Sequence, residues 1–342
     1  MMTPKERVYA TIRGGSHDRP PVTPIFMAWS AHFIGRTYRD YYLDGDVLVE
    51  SQLAVTRAFH LDQVSVISDP WREACAYGMA LDYPEEGVGR PREMLLGCAA
   101  DFDRIRPLEI EKAERCRQRI ESVRKMAQAV GSTHSVLGWC EGPLALYADL
   151  RGVENMFMDL IDNPQRYVQA AETIIDNQIR FALAQVEAGA DMIGVGDAVA
   201  SLVSPKMYEQ YVLPFEKRLF DAIRQAGAAV KLHICGDVTH SVRLMAQTGC
   251  DVIDLDWMVP IPQSRAAVGP DVTLCGNFDP TAVLLQGTPQ DVANAAAQCI
   301  REGGQRFIVQ PGCEVPQGTP EQNIRAFCPC DGCLIPELLG LA

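Results

Sequence analysis

The chain has 342 residues, of which 47% are hydrophobic and 22% charged, a composition typical of globular proteins and large enough for one α/β barrel. Its formal charge of −13 is spread over the sequence without a basic cluster, which argues against a nucleic-acid partner. No window approaches about 18 uninterrupted apolar residues and the N-terminus lacks the apolar core of a signal peptide, so we expect neither a membrane span nor export.

Short apolar segments alternate with longer segments of helical periodicity along the whole chain. Residues 1–20 predict a lead-in helix. The segments that predict strands are, in chain order, 21–27, 63–69, 134–142, 191–197, 229–237, 251–257, 272–279 and 306–313. The segments that predict the longer helices are 47–59, 164–189, 204–227, 240–249 and 288–304, and most of them end in glycine.

This alternation predicts a parallel sheet covered by helices, and eight repeats favour a closed (β/α)8 barrel, the TIM-barrel fold. We expect one domain over 1–342, with the lead-in helix and an irregular insertion around 70–130 that is a candidate lid. An open doubly wound sheet is the alternative. It would need a glycine-rich phosphate-binding turn after the first strand, and none follows residues 21–27.

The chain contains 12 cysteines. In a small secreted protein this number would predict disulfides, but in a long chain without an export signal it favours reduced thiols or metal ligands. We therefore expect a cytoplasmic protein. Cys328, Cys330 and Cys333 lie in the C-terminal stretch FCPCDGC, for which a second soft-metal site, a redox role and a reduced terminal segment all stay open.

Polar and sulfur side chains are concentrated where the predicted strands end. They are Glu141, Asp197, His233, Cys235, Asp256, Asn277, Asp279 and Cys313. In a (β/α)8 barrel the carboxyl ends of the strands form the open rim at which functional residues lie, while bulky aliphatic side chains fill the interior. The sequence therefore predicts a functional site at this rim.

Three of these side chains predict a metal site. His233 and Cys235 are two positions apart in a predicted strand, so they point to the same face. Cys313 ends the last predicted strand and completes a set of one imidazole and two thiolates, which suits zinc and keeps a fourth position for water or substrate. The alternative is that both cysteines are small buried hydrophobes and His233 is only hydrogen-bonded.

Two carboxylates are the candidate catalytic residues. Glu141 and Asp197 are candidates for catalysis, for substrate orientation or for a fourth metal ligand, and the alternative for both is capping of the following helix. For Asp197 we favour a functional role, since it ends a glycine-rich buried strand where an unpaired charge is costly. Asp254 and Asp256 share one strand face, and one of them is expected to be structural.

Longer motifs carry a family resemblance. They are HDRPPV (17–22), EGPLALYADLRG (141–152), residues 188–219, KLHICGD (231–237), CGNFDPTAVLLQGTPQDV (275–292) and FIVQPGCEVPQGTPEQNIRAF (307–327). With these motifs the chain resembles the uroporphyrinogen decarboxylase superfamily, and within it the methylcobalamin:coenzyme M methyltransferase branch. The resemblance implies zinc at His233, Cys235 and Cys313, a methylcobalamin-type corrinoid protein as methyl donor, and a small thiol such as coenzyme M as acceptor.

Three other functions stay open. A uroporphyrinogen decarboxylase would carry an arginine-rich stretch for the porphyrin carboxylates after its first strand, whereas residues 26–42 contain only Arg36 and Arg39. A corrinoid-dependent demethylase, which methylates cobalt from a methoxyl or methylamine donor, resembles the methyltransferases but tends to use a carboxylate-containing zinc site. The third is a non-catalytic zinc scaffold whose ion is closed off by a fourth protein ligand.

Overall fold

The barrel sheet is the centre of the fold. The computed structural model describes residues 2–339. Its strands are β1 (Gln63–Ser65), β2 (Leu81–Asp82), β3 (Arg90–Pro91), β4 (Ser135–Glu141), β5 (Met192–Gly196), β6 (Ala229–Ile234), β7 (Val252–Leu255), β8 (Thr273–Phe278) and β9 (Phe307–Pro311). Seven of them form one parallel sheet in the order β1-β4-β5-β6-β7-β8-β9, and β2 pairs with β3 separately.

The eighth position of the barrel is held by a single backbone bridge. Val22 forms a parallel bridge with Val309 of β9, and its carbonyl accepts a hydrogen bond of 3.0 Å from the N–H of Asp62, which precedes β1. The surrounding sequence PPVTP explains the short pairing, because each proline lacks the N–H that a ladder needs. The predicted (β/α)8 barrel is thus confirmed, with its first strand reduced to this bridge.

Helices surround the sheet. They are α1 (Pro4–Ile12), α2 (Ala28–Phe33), α3 (Tyr38–Leu43), α4 (Gly45–Phe59), α5 (Arg72–Ala76), α6 (Glu114–Val130), α7 (Pro143–Arg151), α8 (Val153–Asp162), α9 (Pro164–Glu187), α10 (Pro205–Met207), α11 (Leu213–Gln225), α12 (Val242–Gln247), α13 (Ile261–Val268), α14 (Pro289–Gly303) and α15 (Glu321–Phe327). Over residues 2–339, no helix has both the length and the hydropathy that crossing a membrane requires.

The observed helices differ from the predicted ones mainly where a predicted helix is interrupted. The segment 204–227 is divided by a π-helical turn, Tyr208–Val212, between α10 and α11. Pro214 explains the break, since it has no N–H to donate to the carbonyl four residues earlier. The predicted insertion around 70–130 contains α5, β2, β3 and two short 3-10 turns before α6.

One buried carboxylate attaches the N-terminal helix to the barrel. Asp62 is fully buried and accepts hydrogen bonds from Arg7 on α1 (2.5 Å), from Arg19 (2.7 Å) and from the N–H of Val22 (2.7 Å). Because Val22 holds the eighth strand position, this carboxylate joins the lead-in helix to the place where the barrel closes.

We expect Asp62→Asn to lower the free energy of unfolding by about 3 kcal/mol or more, because the largely buried Arg19 loses its carboxylate partner and Arg7 keeps only Asp18. Urea unfolding followed by circular dichroism measures this. The matched control is Asp82→Asn, whose ion pair with Arg92 is well exposed and contributes at most about 1 kcal/mol. Equal stability of the two variants would contradict the role of Asp62 in attaching α1 to the barrel.

Candidate metal centre

The structure brings His233, Cys235 and Cys313 together at the carboxyl ends of the strands. His233 lies in β6, Cys235 follows that strand directly, and Cys313 comes two residues after β9. His233 Nε2 lies 3.1 Å from Cys235 Sγ, and the two sulfurs are 4.0 Å apart. All three donor atoms lie within 4.8 Å of one another.

These separations fit a tetrahedral zinc ion. Zinc–sulfur and zinc–nitrogen bonds of about 2.3 and 2.0 Å place neighbouring donor atoms about 3.5–3.8 Å apart in a tetrahedron. The observed separations of 3.1 and 4.0 Å bracket that range. No fourth Asp, Glu, His or Cys donor joins this group in the part of the chain that the structure describes. The donor set therefore suits zinc with one position open.

The imidazole of His233 is oriented by the neighbouring strand. Its Nδ1 lies 3.2 Å from the backbone carbonyl oxygen of Asp254 and 3.5 Å from the carboxylate of the same residue. These contacts direct Nε2 toward the two sulfurs, as in metal sites where a second hydrogen bond fixes the ligand. Burial opposes a charge on the ring, but Asp254 outweighs it and raises the pKa of His233 to about 10, so metal binding must release a proton.

A polar layer inside the barrel supports this histidine. Asp254 on β7 lies 3.1 Å from the ammonium of Lys231 on β6. Gln310 on β9 donates to Asp254 (2.7 Å) and accepts from Lys231 (2.8 Å). All three side chains are almost fully buried. Burial opposes the charge of Lys231, but the Asp254 carboxylate raises the pKa of that ammonium, so the pair stays ionised inside the barrel.

A cavity of about 160 Å³ lies directly beside the three ligands. Besides them it is lined by Tyr38, Asp69, Trp139, Glu141 and Glu314, together with aliphatic side chains. Of these five, only Glu141 belongs to the predicted barrel rim, while Tyr38 comes from α3. The cavity is therefore the place where a small molecule can approach a bound metal.

Close backbone approaches shape this cavity. A Cβ atom on Gly194 of β5 would lie 2.3 Å from the Trp139 ring, so the glycine-rich strand provides the space for that indole. A Cβ on Gly312 would lie 2.3 Å from the backbone nitrogen of Trp257. This second contact allows the chain after β9 to turn in close to the β7 loop and bring Cys313 toward the other ligands.

The two predicted catalytic carboxylates have different environments. Glu141 lines the cavity and accepts a hydrogen bond from Trp139 Nε1 at 3.3 Å. Burial, and next the nearby Glu73, raise the pKa of Glu141 well above its usual value. Asp197 is fully buried and does not line the cavity; it accepts hydrogen bonds from the N–H groups of Leu144 and Ala145 at the start of α7. A catalytic role for either residue stays a prediction.

The remaining strand-end residues organise loops. Asp256 accepts from the N–H of Met258, and Asn277 donates to two backbone carbonyls of the β7 loop. Asp279 accepts from the N–H groups of the helical turn that follows it. The thiols of Cys328, Cys330 and Cys333 form no close metal-ligand group in the part of the chain described here.

Sequence reasoning did not single out Asp69, Glu314 or Lys231. Asp69 ends the predicted strand 63–69, so the strand-end rule that found Glu141 would also have found it. Lys231 is two residues before His233 and therefore shares its strand face. Glu314 had no periodic signal, because it lies in the loop that follows Cys313.

Comparison with known proteins gives consistent similarities. Residues 3–330 match the family model described as Uroporphyrinogen decarboxylase (URO-D). A protein named Methylcobamide:CoM methyltransferase MtbA, from Methanosarcina mazei, is 28% identical over 96% of this chain and 97% of its own. A Uroporphyrinogen decarboxylase from Nostoc punctiforme is 29% identical over 92% of each chain. A solved structure described as a methyltransferase from Methanosarcina mazei matches with a TM-score of 0.88, at 22% identity over 95% of this chain and 97% of that one.

We expect Asp254→Asn to weaken zinc binding by about 10- to 100-fold, because the imidazole loses the carboxylate 3.5 Å from its Nδ1 and keeps only the contact with the backbone carbonyl of residue 254. Competition with a chromogenic zinc chelator measures the affinity. Asp271→Asn is the matched control, since that carboxylate is 90% exposed and far along the chain from the ligands. An unchanged affinity in Asp254→Asn, with the fold intact by circular dichroism, would show that His233 needs no such support.

The Asp69 ion pair predicts a pH dependence of stability. Burial opposes its charge, but Arg115, which binds it at 2.8 and 2.9 Å, lowers the pKa of Asp69 to about 2. A lowered pKa stabilises the fold above the unfolded pKa of about 3.9, and this contribution is lost as the pH falls through about 2.

Asp69→Asn is accordingly expected to lower the free energy of unfolding by about 2–3 kcal/mol at pH 7, and the gap to the unaltered protein should fall to about half at pH 3. Urea titrations at the two pH values measure the gap. A gap that stays constant with pH would mean that Asp69 acts through packing rather than through its charge.

Proposed function

The chain belongs to the uroporphyrinogen decarboxylase family, and we propose that it transfers a methyl group from a methylated corrinoid protein to a small thiol, with zinc bound by His233, Cys235 and Cys313. The observation that carries this proposal is the convergence of one imidazole and two thiols beside a small cavity at the barrel rim. Zinc held by these ligands would supply a Lewis acid that keeps the acceptor thiol as a thiolate near neutral pH.

The residues of the chain have separable roles in this proposal. Asp254 orients the His233 ring, so that the nitrogen donor is fixed before the substrate arrives. Two thiolate ligands make the site electron-rich, which suits holding a nucleophilic sulfur better than activating water for hydrolysis. The indole of Trp139 and the aliphatic lining limit the water that can enter beside the ligands.

The transfer itself balances without an external oxidant or reductant. The acceptor sulfur attacks the methyl carbon in line and forms a carbon–sulfur bond. The carbon–cobalt bond of the donor breaks, and both of its electrons remain on the corrinoid. The proton of the acceptor thiol leaves to solvent when the thiol binds. We assign no step to Asp197, and Glu141 lines the space in which the acceptor lies.

We place the corrinoid protein against the rim of the barrel, in the cytoplasm. Leu202, Trp257 and Met258 are exposed apolar side chains on the loops that follow β5 and β7. Exposed apolar side chains at the rim of a barrel suit a protein contact site. A partner bound there would bring its cofactor over the cavity that contains the ligands.

The structure supports decarboxylation of a porphyrin less well than methyl transfer to a thiol. Four propionate groups would need several cations, whereas Arg36 and Arg39 are exposed and do not line the cavity. No lysine or arginine among residues 2–339 lines it at all. A demethylase with a carboxylate ligand is also disfavoured, because no Asp or Glu among residues 2–339 joins the three donor atoms.

We expect zinc-loaded protein to demethylate free methylcobalamin when a small thiol is added, which the visible spectrum of the cobalt follows directly. Cys235→Ala and Cys313→Ala should each lose bound zinc and more than about a hundredfold in rate, since each removes a primary ligand. Cys98→Ala, at an exposed cysteine remote from the cavity, is the control and should keep both. Full thiol methylation by a protein without bound metal would overturn the proposal.

A further inference from the structure

Part of the wall of the cavity beside the metal ligands is acidic. Glu141 and Glu314 both line it, and neither forms an ion pair within 4.0 Å among the described residues. Glu314 accepts one hydrogen bond, from the N–H of Ala28 at 3.2 Å, and Glu141 accepts one from the indole of Trp139. Two carboxylates thus face a largely apolar space without a cation.

The arginines behind this wall are all bound to protein groups. Arg115 binds Asp69 and a backbone carbonyl. Arg72 and Arg119 donate to the hydroxyl of Ser68 and to backbone carbonyls. Among the residues that the structure describes, no lysine or arginine lines the cavity. A sulfonate or carboxylate on a substrate would therefore meet two carboxyl groups without a counter-ion, which disfavours an anionic head group.

The other side chains of the wall suit a cation. The rings of Trp139 and Tyr38 line the cavity, and the Tyr38 hydroxyl is already used in a 2.7 Å hydrogen bond to the carbonyl of Ser68. Aromatic faces attract ammonium groups, more strongly where water is excluded. The cavity volume of about 160 Å³ corresponds to about five water molecules, which is enough for a short molecule.

We propose that the acceptor is a small aminothiol, with its sulfur toward the metal ligands and its ammonium between Glu141 and Glu314. This inference rests on the proposed function, and it names the chemical class of the acceptor. In the transfer, the sulfur gains the methyl group and the carbon–cobalt bond electrons stay on the corrinoid, while the ammonium is unchanged. Its role is to hold the acceptor in the cavity.

A series of thiols that differ only in the head group tests this. Cysteamine, 2-mercaptoethanol and coenzyme M carry an ammonium, a hydroxyl and a sulfonate on the same two-carbon thiol. Titration calorimetry with zinc-loaded protein, without any corrinoid, measures their affinities. We expect cysteamine to bind about tenfold or more tightly than coenzyme M, with 2-mercaptoethanol between them.

Two variants separate the effect of the head group on affinity from the intrinsic affinity of each thiol for the metal. In Glu141→Gln and Glu314→Gln the ratio of cysteamine to 2-mercaptoethanol affinity should fall by several-fold, because each substitution removes one carboxyl group with which the bound ammonium would pair. Glu209→Gln, at an exposed carboxylate outside the cavity, removes the same charge and should keep the ratio. If the buried Glu141 cannot be replaced without unfolding, the partly exposed Glu314 still provides the test.

Tightest binding by coenzyme M, or an unchanged ratio in the Glu314→Gln protein, would overturn the assignment of an aminothiol. Methylation is assayed separately with methylcobalamin. If cysteamine binds most tightly but no thiol is methylated, the proposed function is refuted, while the assignment of the cavity to an aminothiol stands. Faster methylation of coenzyme M than of cysteamine would keep the proposed function and refute the assignment.

Discussion

Asp254 lies inside the barrel between Lys231 and His233, and the candidate site depends on its contacts: the carboxylate pairs with Lys231, and the backbone carbonyl lies 3.2 Å from Nδ1 of His233. A (β/α)8 barrel usually fills its interior with aliphatic side chains, and ionised groups there cost several kcal/mol each in lost hydration. Their mutual attraction recovers that cost only with good geometry, which Gln310 supplies by bonding both partners. Such a layer adds little net stability. What it provides is a fixed direction for the His233 ring.

The barrel itself was predictable from the sequence because its signals are local. Apolar runs, helical periodicity and glycine after helices each report on a few neighbouring residues. The same period-two rule placed His233 and Cys235 on one face. The strand-end rule could not tell that Glu141 lines the cavity and Asp197 does not, since both end buried strands. The difference depends on how the chain turns after its last paired residue, and there Asp197 meets the free N–H groups of α7.

Other parts of the site had no local signal. Cys235 and Cys313 are 78 residues apart, and their 4.0 Å approach depends on closure of the whole barrel. Glu314 faces the cavity because the loop after β9 turns at Gly312 against the β7 loop, a contact between distant segments. The arginines behind Asp69 could be counted in the sequence, but only the fold shows that protein acceptors already bind them.

The ligands also link metal binding to the architecture of the sheet. β6 and β9 are not neighbours, because β7 and β8 lie between them. A metal held by His233, Cys235 and Cys313 would therefore join two strands across the mouth of the barrel. The last strand meets the N-terminal segment through the single bridge at Val22, so the barrel is weakly paired on that side of β9. A bound metal would stabilise the folded chain there, because binding energy available only to the folded state adds to folding.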